Sequence, residues 1–261
     1  MQKTLSFKNS QLSYSDFGNG PVLVLLHGFL ENSTMWSAVI PELSKTNRVI
    51  AIDLLGHGKT GCLGYVHSME LMAEAVYAIL KSLRIRRVKL VGHSLGGYVS
   101  LAFAELYPLV IKELCLMNST ADEDSFERKE LRTRANKMAQ TNYQNMVNMS
   151  IANLFQPKSL ESFSTEVKQV KKEALTTPLQ GYLAAQEGMK ARPNRAHVLQ
   201  KNSFPCLYIV GKNDPILNSK EVLQEAEQNN AEVLVLEGGH MSHIENKEEI
   251  IIALRKFAKD Q

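Results

Sequence analysis

The chain has 261 residues, 44% of them apolar and 22% charged, with a net charge of only +3. That balance excludes a disordered chain and offers no electrostatic case for binding nucleic acid or a membrane surface. No stretch approaches the ~18 apolar residues of a membrane span, and the first seven residues lack the apolar core of a secretion signal, so a cytoplasmic address is expected.

In chain order, Leu5 to Phe7 and Leu12 to Asp16 read as a hairpin joined around Asn9-Ser10, followed by the turn cluster Asp16 to Pro21. The apolar run Val22 to Leu26 is the first buried strand, and a helix is expected near Thr34 to Leu43. Arg48 to Ile52 is the next strand. Ser68 caps a helix from about Met69 to Leu83, where Leu71, Ala75, Ala78 and Ile79 recur at helical spacing. A strand at Val88 to Val91 leads into a helix that Pro108 ends, and Leu114 to Met117 is a sixth strand.

After Thr120 the rhythm changes. Residues 121–203 lack a convincing buried strand and read as several amphipathic helices with breaks at Pro157, Pro178 and Pro193. Thirteen Lys and Arg stand there against nine Asp and Glu, an excess that solvated helix faces explain more simply than an anionic substrate does. The alternation resumes with the strand Cys206 to Val210, a helix near Ser219 to Gln228, the strand Glu232 to Leu236 and a last helix from about Lys247 to Lys259. Strand and helix in alternation imply a parallel sheet covered on both faces. Cys62, Cys115 and Cys206 have no metal spacing, and their odd number argues against a disulfide framework.

The most informative segment is Gly92-His93-Ser94-Leu95-Gly96, set between a strand and a helix. A serine on such a turn projects its hydroxyl, the glycines relieve crowding, and the helix N-terminus offers unpaired N–H groups to a developing negative charge. A nucleophilic serine needs a base and an orienting carboxylate. Asp214 follows the strand ending at Val210, and His240 follows the one ending at Leu236. Backbone N–H groups near Phe29 or Leu30, after the Val22 strand, can face the Leu95 N–H across an oxyanion.

Competing assignments exist. His243 lies three residues beyond His240, but Gly238-Gly239 lets the His240 loop approach Ser94. Asp53 also ends a strand, where closing a loop network is the simpler role. His27 and His57 are expected to pack and hydrogen-bond, and His93 to position the turn. Met35, Trp36 and Phe29 suit core or pocket equally.

Taken together, His27-Gly28-Phe29, Asp53-Leu54-Leu55-Gly56-His57-Gly58, the Gly92 to Gly96 elbow, Asn213-Asp214-Pro215 and Gly239-His240 resemble the α/β-hydrolase fold family over nearly the whole chain. The resemblance implies an α/β-hydrolase core over 1–120 and 204–261 with a helical cap inserted at 121–203. It implies Ser94 as nucleophile, Asp214 as acid, His240 as base, and no metal or organic cofactor. The expected activity is hydrolysis of small to medium carboxylic esters through an acyl-enzyme. Lyase or synthase chemistry, carbon–carbon bond hydrolysis, perhydrolysis and a non-catalytic small-ligand receptor are the alternatives. Relatives that use an aspartate nucleophile, dehalogenases and epoxide hydrolases, are disfavoured by Ser94. Oligomeric state is not legible.

Overall fold

The computed structural model describes residues 2–201 and 204–259. The expected boundary at 203 and the chain end at 261 lie outside the described residues.

Eight strands form one sheet: β1 (Gln2–Phe7), β2 (Ser10–Phe17), β3 (Val22–Leu26), β4 (Arg48–Asp53), β5 (Val88–His93), β6 (Ile111–Met117), β7 (Cys206–Gly211) and β8 (Glu232–Leu236), in the spatial order β1-β2-β4-β3-β5-β6-β7-β8. β1 and β2 are the expected hairpin, and β2 also pairs antiparallel with β4. The remaining pairs are parallel.

The period of two along these strands sends alternate residues to opposite faces. Val24, Leu26, Ile50, Ile52, Leu90, Leu114 and Leu116 pack with α2 (Met69–Ser82) and α3 (Leu95–Leu106) in one cluster. Leu23, Leu25, Val49, Ala51, Val91 and Cys115 pack with α1 (Ile40–Leu43) and α12 (Lys247–Ala258) in another. Both faces are dry, so the central strands read as continuous apolar runs. Burying each Val, Leu or Ile side chain among them contributes roughly 1.5–3 kcal/mol. One exception is Lys89, 2% exposed, whose ammonium donates to the Phe257 carbonyl at the end of α12 and pairs with Glu113 at 2.9 Å.

The helix expected over 34–43 is two pieces, a 3-10 turn at Ser33–Trp36 and the single α turn α1. Asn32 caps the first piece through its side chain, and Pro41, which has no N–H to donate to Ser37, sits at the start of the second. Trp36 is fully buried in the core, with Met35 packed partly against the same cluster. Pro108 ends α3 as expected.

Between β6 and β7 the chain forms α4 (Phe126–Thr141), α5 (Tyr143–Ala152), α6 (Pro157–Ser162), α7 (Ser164–Ala174), α8 (Leu179–Ala191) and α9 (Ala196–Lys201). Pro157 opens α6 and Pro178 caps α8, so these prolines start helices, while Pro193 follows the end of α8. Helices α4, α5, α7 and α8 carry a cluster of their own, including Val147, Ile151, Phe155 and Tyr182, into which Leu30 and Met241 reach from the loops above the sheet. α9 instead packs Val198 and Leu199 into the main core beside α3. α8 sits directly on the loop after β4. A Cβ at Gly181 would overlap the Gly56 carbonyl, and the His67 N–H donates to the Ala184 carbonyl at 2.9 Å. Helices α10 (Ser219–Gln228) and α11 (Ser242–Glu245) complete the chain.

Candidate active site

β5 delivers the chain into a turn too tight for side chains at its flanks. A Cβ on Gly92 would collide with the Gly96 backbone, and one on Gly96 with the carbonyls of Leu26 and His27. Ser94 itself stands at φ 50°, ψ −113°, a conformation that costs a non-glycine residue on the order of 1–3 kcal/mol. Surrounding bonds hold it there. Its N–H donates to the Met117 carbonyl at 3.0 Å, and its carbonyl accepts from the Gly97 N–H and the Ser119 hydroxyl, both at 2.9 Å.

The hydroxyl so presented meets His240. His240 Nε2 lies 2.9 Å from Ser94 Oγ, and Nδ1 lies 2.7 Å from Asp214 Oδ2. Asp214 is an acceptor, so the ring proton belongs on Nδ1, leaving Nε2 to accept the serine proton. The loop after β7 fixes the carboxylate. Oδ1 accepts the N–H groups of Ile216 and Leu217 at 2.8 and 3.0 Å, and Oδ2 also accepts from the Asn118 side chain at 3.1 Å. Burial works against its charge, but His240 and these N–H groups outweigh it and hold the Asp214 pKa below the ordinary value. Asn118 also donates to the Gly239 carbonyl, and the His240 N–H to the Leu154 carbonyl, so the histidine loop is tied to β6 and to the chain after α5.

The structure thus brings Ser94, Asp214 and His240 together. His243 turns the other way, its Nε2 3.4 Å from Glu31. Asp53 accepts the N–H groups of Ser33 and Lys59 at 2.8 and 3.0 Å and closes the loops around it. His27 Nδ1 donates to the Gly28 carbonyl and its Nε2 accepts the Leu54 N–H, while His57 stacks at a tilt 5.3 Å from it. Burial lowers the pKa of both, that of His57 to about 3, so both are neutral packing groups.

Above the sheet edge, Gly28 to Glu31 form a tight turn closed by the Glu31 N–H on the Gly28 carbonyl, with Leu30 at φ 63°. Leu30 is buried and Phe29 borders the cavity over Ser94. Leu95 opens α3. Among the described residues, no hydrogen bond engages the N–H groups of Phe29, Leu30 or Leu95.

Sequence reasoning missed Glu31. Its Oε2 accepts from Gly28 N–H at 2.8 Å and from His93 Nδ1 at 2.7 Å, and His93 Nε2 donates to the His240 carbonyl at 2.9 Å. Both nitrogens of His93 therefore face acceptors, which requires an imidazolium. Burial opposes that charge, but Glu31 overrides it and raises the His93 pKa, while His93 in turn holds Glu31 down near 2. Glu31, His93 and His243 lie close enough to hold a cation. The donor set does not suit one, because His93 has no lone pair to give.

A cavity of about 70 Å³ lies over the serine, bordered by Phe29, Leu154, Met189, Ile216 and two arginines of α4, Arg128 and Arg132. Those arginines carried no individual signal in the sequence.

A nucleophile elbow on a mostly parallel sheet, followed in chain order by an acid and a histidine at strand ends, defines the α/β-hydrolase class. Residues 21–247 match the model of the alpha/beta hydrolase fold, and the chain belongs to that family. It is 27% identical over 257 residues to a pimeloyl-[acyl-carrier protein] methyl ester esterase of Aeromonas hydrophila, covering 94% of this chain and 98% of that protein. A thermophilic esterase from Thermogutta terrifontis, solved with malate bound, superposes with a TM-score of 0.92 at 29% identity, covering 98% of this chain and 97% of that one. An uncharacterized protein of Mycobacterium tuberculosis is 40% identical over 102 residues, 39% of this chain, and the match spans only 30% of that relative's length. No helix among the described residues is long and apolar enough to cross a membrane.

Proposed function

We propose that the protein is a serine hydrolase, a carboxylesterase acting on small to medium acyl esters through an acyl-enzyme. The observation that carries this reading is the unbroken chain from Ser94 Oγ through His240, 2.9 Å away, to Asp214, 2.7 Å beyond. Similarity to two esterases supports it.

In this reading His240 Nε2 takes the serine proton as Oγ attacks the ester carbonyl, and Asp214 stabilises the imidazolium that forms. The tetrahedral oxyanion is received by the N–H of Leu95 and that of Phe29 or Leu30, each donor contributing about 3–4 kcal/mol in comparable sites. His240 then returns the proton to the leaving alcohol. Water activated by the same nitrogen releases the acid and restores Ser94. The helices of 121–203 act as a cap whose α4, α8 and Leu154 wall the cavity and limit the acyl group. Neither a metal nor an organic cofactor enters any of these steps, and the partner is a small-molecule ester.

The test is covalent labelling. An organophosphonate should leave one adduct, at Ser94, and Ser94→Ala should abolish both adduct and hydrolysis of short chromogenic esters while keeping the thermal transition. An adduct elsewhere, or activity retained in the alanine variant, overturns the assignment.

A further inference from the structure

Three guanidinium groups, those of Arg128, Arg132 and Arg192, converge where the α4 end of the helical segment meets the mouth of the Ser94 cavity, and two of them share one carboxylate. Asp124, itself buried, pairs with Arg192 at 2.7 Å and with Arg132 through Nε. Arg132 completes its set by donating to Gln186 at 2.7 Å, and Arg192 lies 3.9 Å over the ring of Tyr98. Arg128 has no such partner. Among the described residues its guanidinium makes no hydrogen bond or ion pair, although it is half-buried and borders the cavity that holds Ser94 and His240.

The acids nearby are already engaged. Glu31, the carboxylate on the inner wall, is matched by His93. Outward, Arg128 also borders a wider cavity of about 640 Å³, where Glu123 pairs with Lys129, Asp122 accepts from Asn194 and Glu221 accepts from Asn218. Burial and the neighbouring Arg132 press the Arg128 pKa down further than the Asp124 carboxylate nearby holds it up, yet a guanidinium stays protonated throughout. A half-buried, always-charged fork with no bonded partner, bordering the cavity that holds Ser94, is a binding element for an anion.

Resting on the esterase reading above, we infer that the substrate is an ester whose acyl group ends in a carboxylate, held by Arg128 while Ser94 attacks the ester carbonyl. The inner cavity is small, about 70 Å³. A small cavity favours a short spacer of a few methylenes between the two carbonyl carbons, the monoester of a short dicarboxylic acid. The step balances as ordinary ester hydrolysis: Oγ bonds to the acyl carbon, the alcohol leaves with the proton from His240, and water releases the free diacid.

Methyl hydrogen succinate and its neutral isostere methyl levulinate separate charge from shape. The wild type should prefer the succinate monoester in kcat/KM by roughly tenfold or more. Arg128→Met should collapse that ratio towards one, Arg128→Lys should restore part of it, and Lys137→Met, which removes the same charge from an exposed site on α4, should leave the ratio intact. A second readout does not depend on turnover: succinate should raise the Tm of the wild type and of Ser94→Ala but not of Arg128→Met. Equal kcat/KM for the two esters, a ratio unaltered in Arg128→Met, or a succinate shift retained in that variant overturns the inference. Loss of hydrolysis of both esters with the succinate shift intact sinks the esterase reading and leaves the anion site standing.

Discussion

His93 binds the backbone carbonyl of His240 at 2.9 Å, so the residue just before the candidate nucleophile holds the loop of the candidate base. Its other nitrogen meets Glu31, which in turn holds Gly28. One buried ion pair thereby joins the elbow, the histidine loop and the turn carrying Phe29 and Leu30.

Glu31→Gln should destabilise the protein most strongly between about pH 4.5 and 6.5. The raised His93 pKa contributes stability that is complete below the ordinary histidine value of 6.5 and is lost as pH rises through the folded value. The lowered Glu31 pKa contributes stability that is complete above 4.5 and is lost as pH falls toward about 2. Both contributions are full only in the window between, where breaking a buried pair costs about 3–5 kcal/mol. His243, held neutral by burial with its pKa near 4, takes no part in the pair at those pH values. Thermal melts of both proteins from pH 3 to 9 check this, and a difference that is flat or grows above pH 8 argues against the ion pair.

His240→Ala should be as damaging to turnover as loss of the serine, a fall of about 10⁴ to 10⁶, because residues of a triad act as a unit. His243→Ala should keep kcat within about tenfold and lower Tm instead, since its ring fills space beside Glu31 and His93. Steady-state kinetics and melts on the two variants decide between the histidines.

Asp214→Asn should lower kcat by about 10⁴ through the wrong imidazole tautomer. Asp53→Asn should instead cost stability, about 1–3 kcal/mol, because an amide oxygen replaces only one of the two acceptors used by Ser33 and Lys59. A severe kinetic defect at Asp53 with a silent Asp214 reverses the choice of carboxylate.

Among unbranched neutral acyl esters, kcat/KM should climb by about 0.8 kcal/mol of transition-state binding per added CH₂ and then fall once the cavity of about 70 Å³ is filled. The maximum belongs among short acyl groups. A rate that keeps rising into long-chain emulsions contradicts a walled pocket.

What the chain disclosed of this arrangement was whatever is local. Glycines around Ser94 and apolar runs ending in Asp214 and His240 loops are patterns within a few residues, and the sheet follows from their repetition. Glu31 escaped notice because its partner His93 is 62 positions away and its loop has no periodicity. The apolar spacing over 34–43 suits one helix, but the Asn32 cap and Pro41 divide it into two short pieces. Arg128 was one of thirteen basic residues, and only the pairing of Arg132 and Arg192 with Asp124 singles it out.

β6 and β7 are neighbours in the sheet, yet the whole helical segment lies between them in sequence, pinned at its ends by the Arg195 N–H on the Ala121 carbonyl. Joining two strands across a connection of about ninety residues rather than ten costs roughly 2 kcal/mol more in closure entropy. Ser94 is on one side of that connection and Asp214 and His240 are on the other. The candidate triad therefore comes together only when the longest excursion of the chain has closed, which makes its assembly during refolding a late event and a sensitive clock for the completion of the native topology.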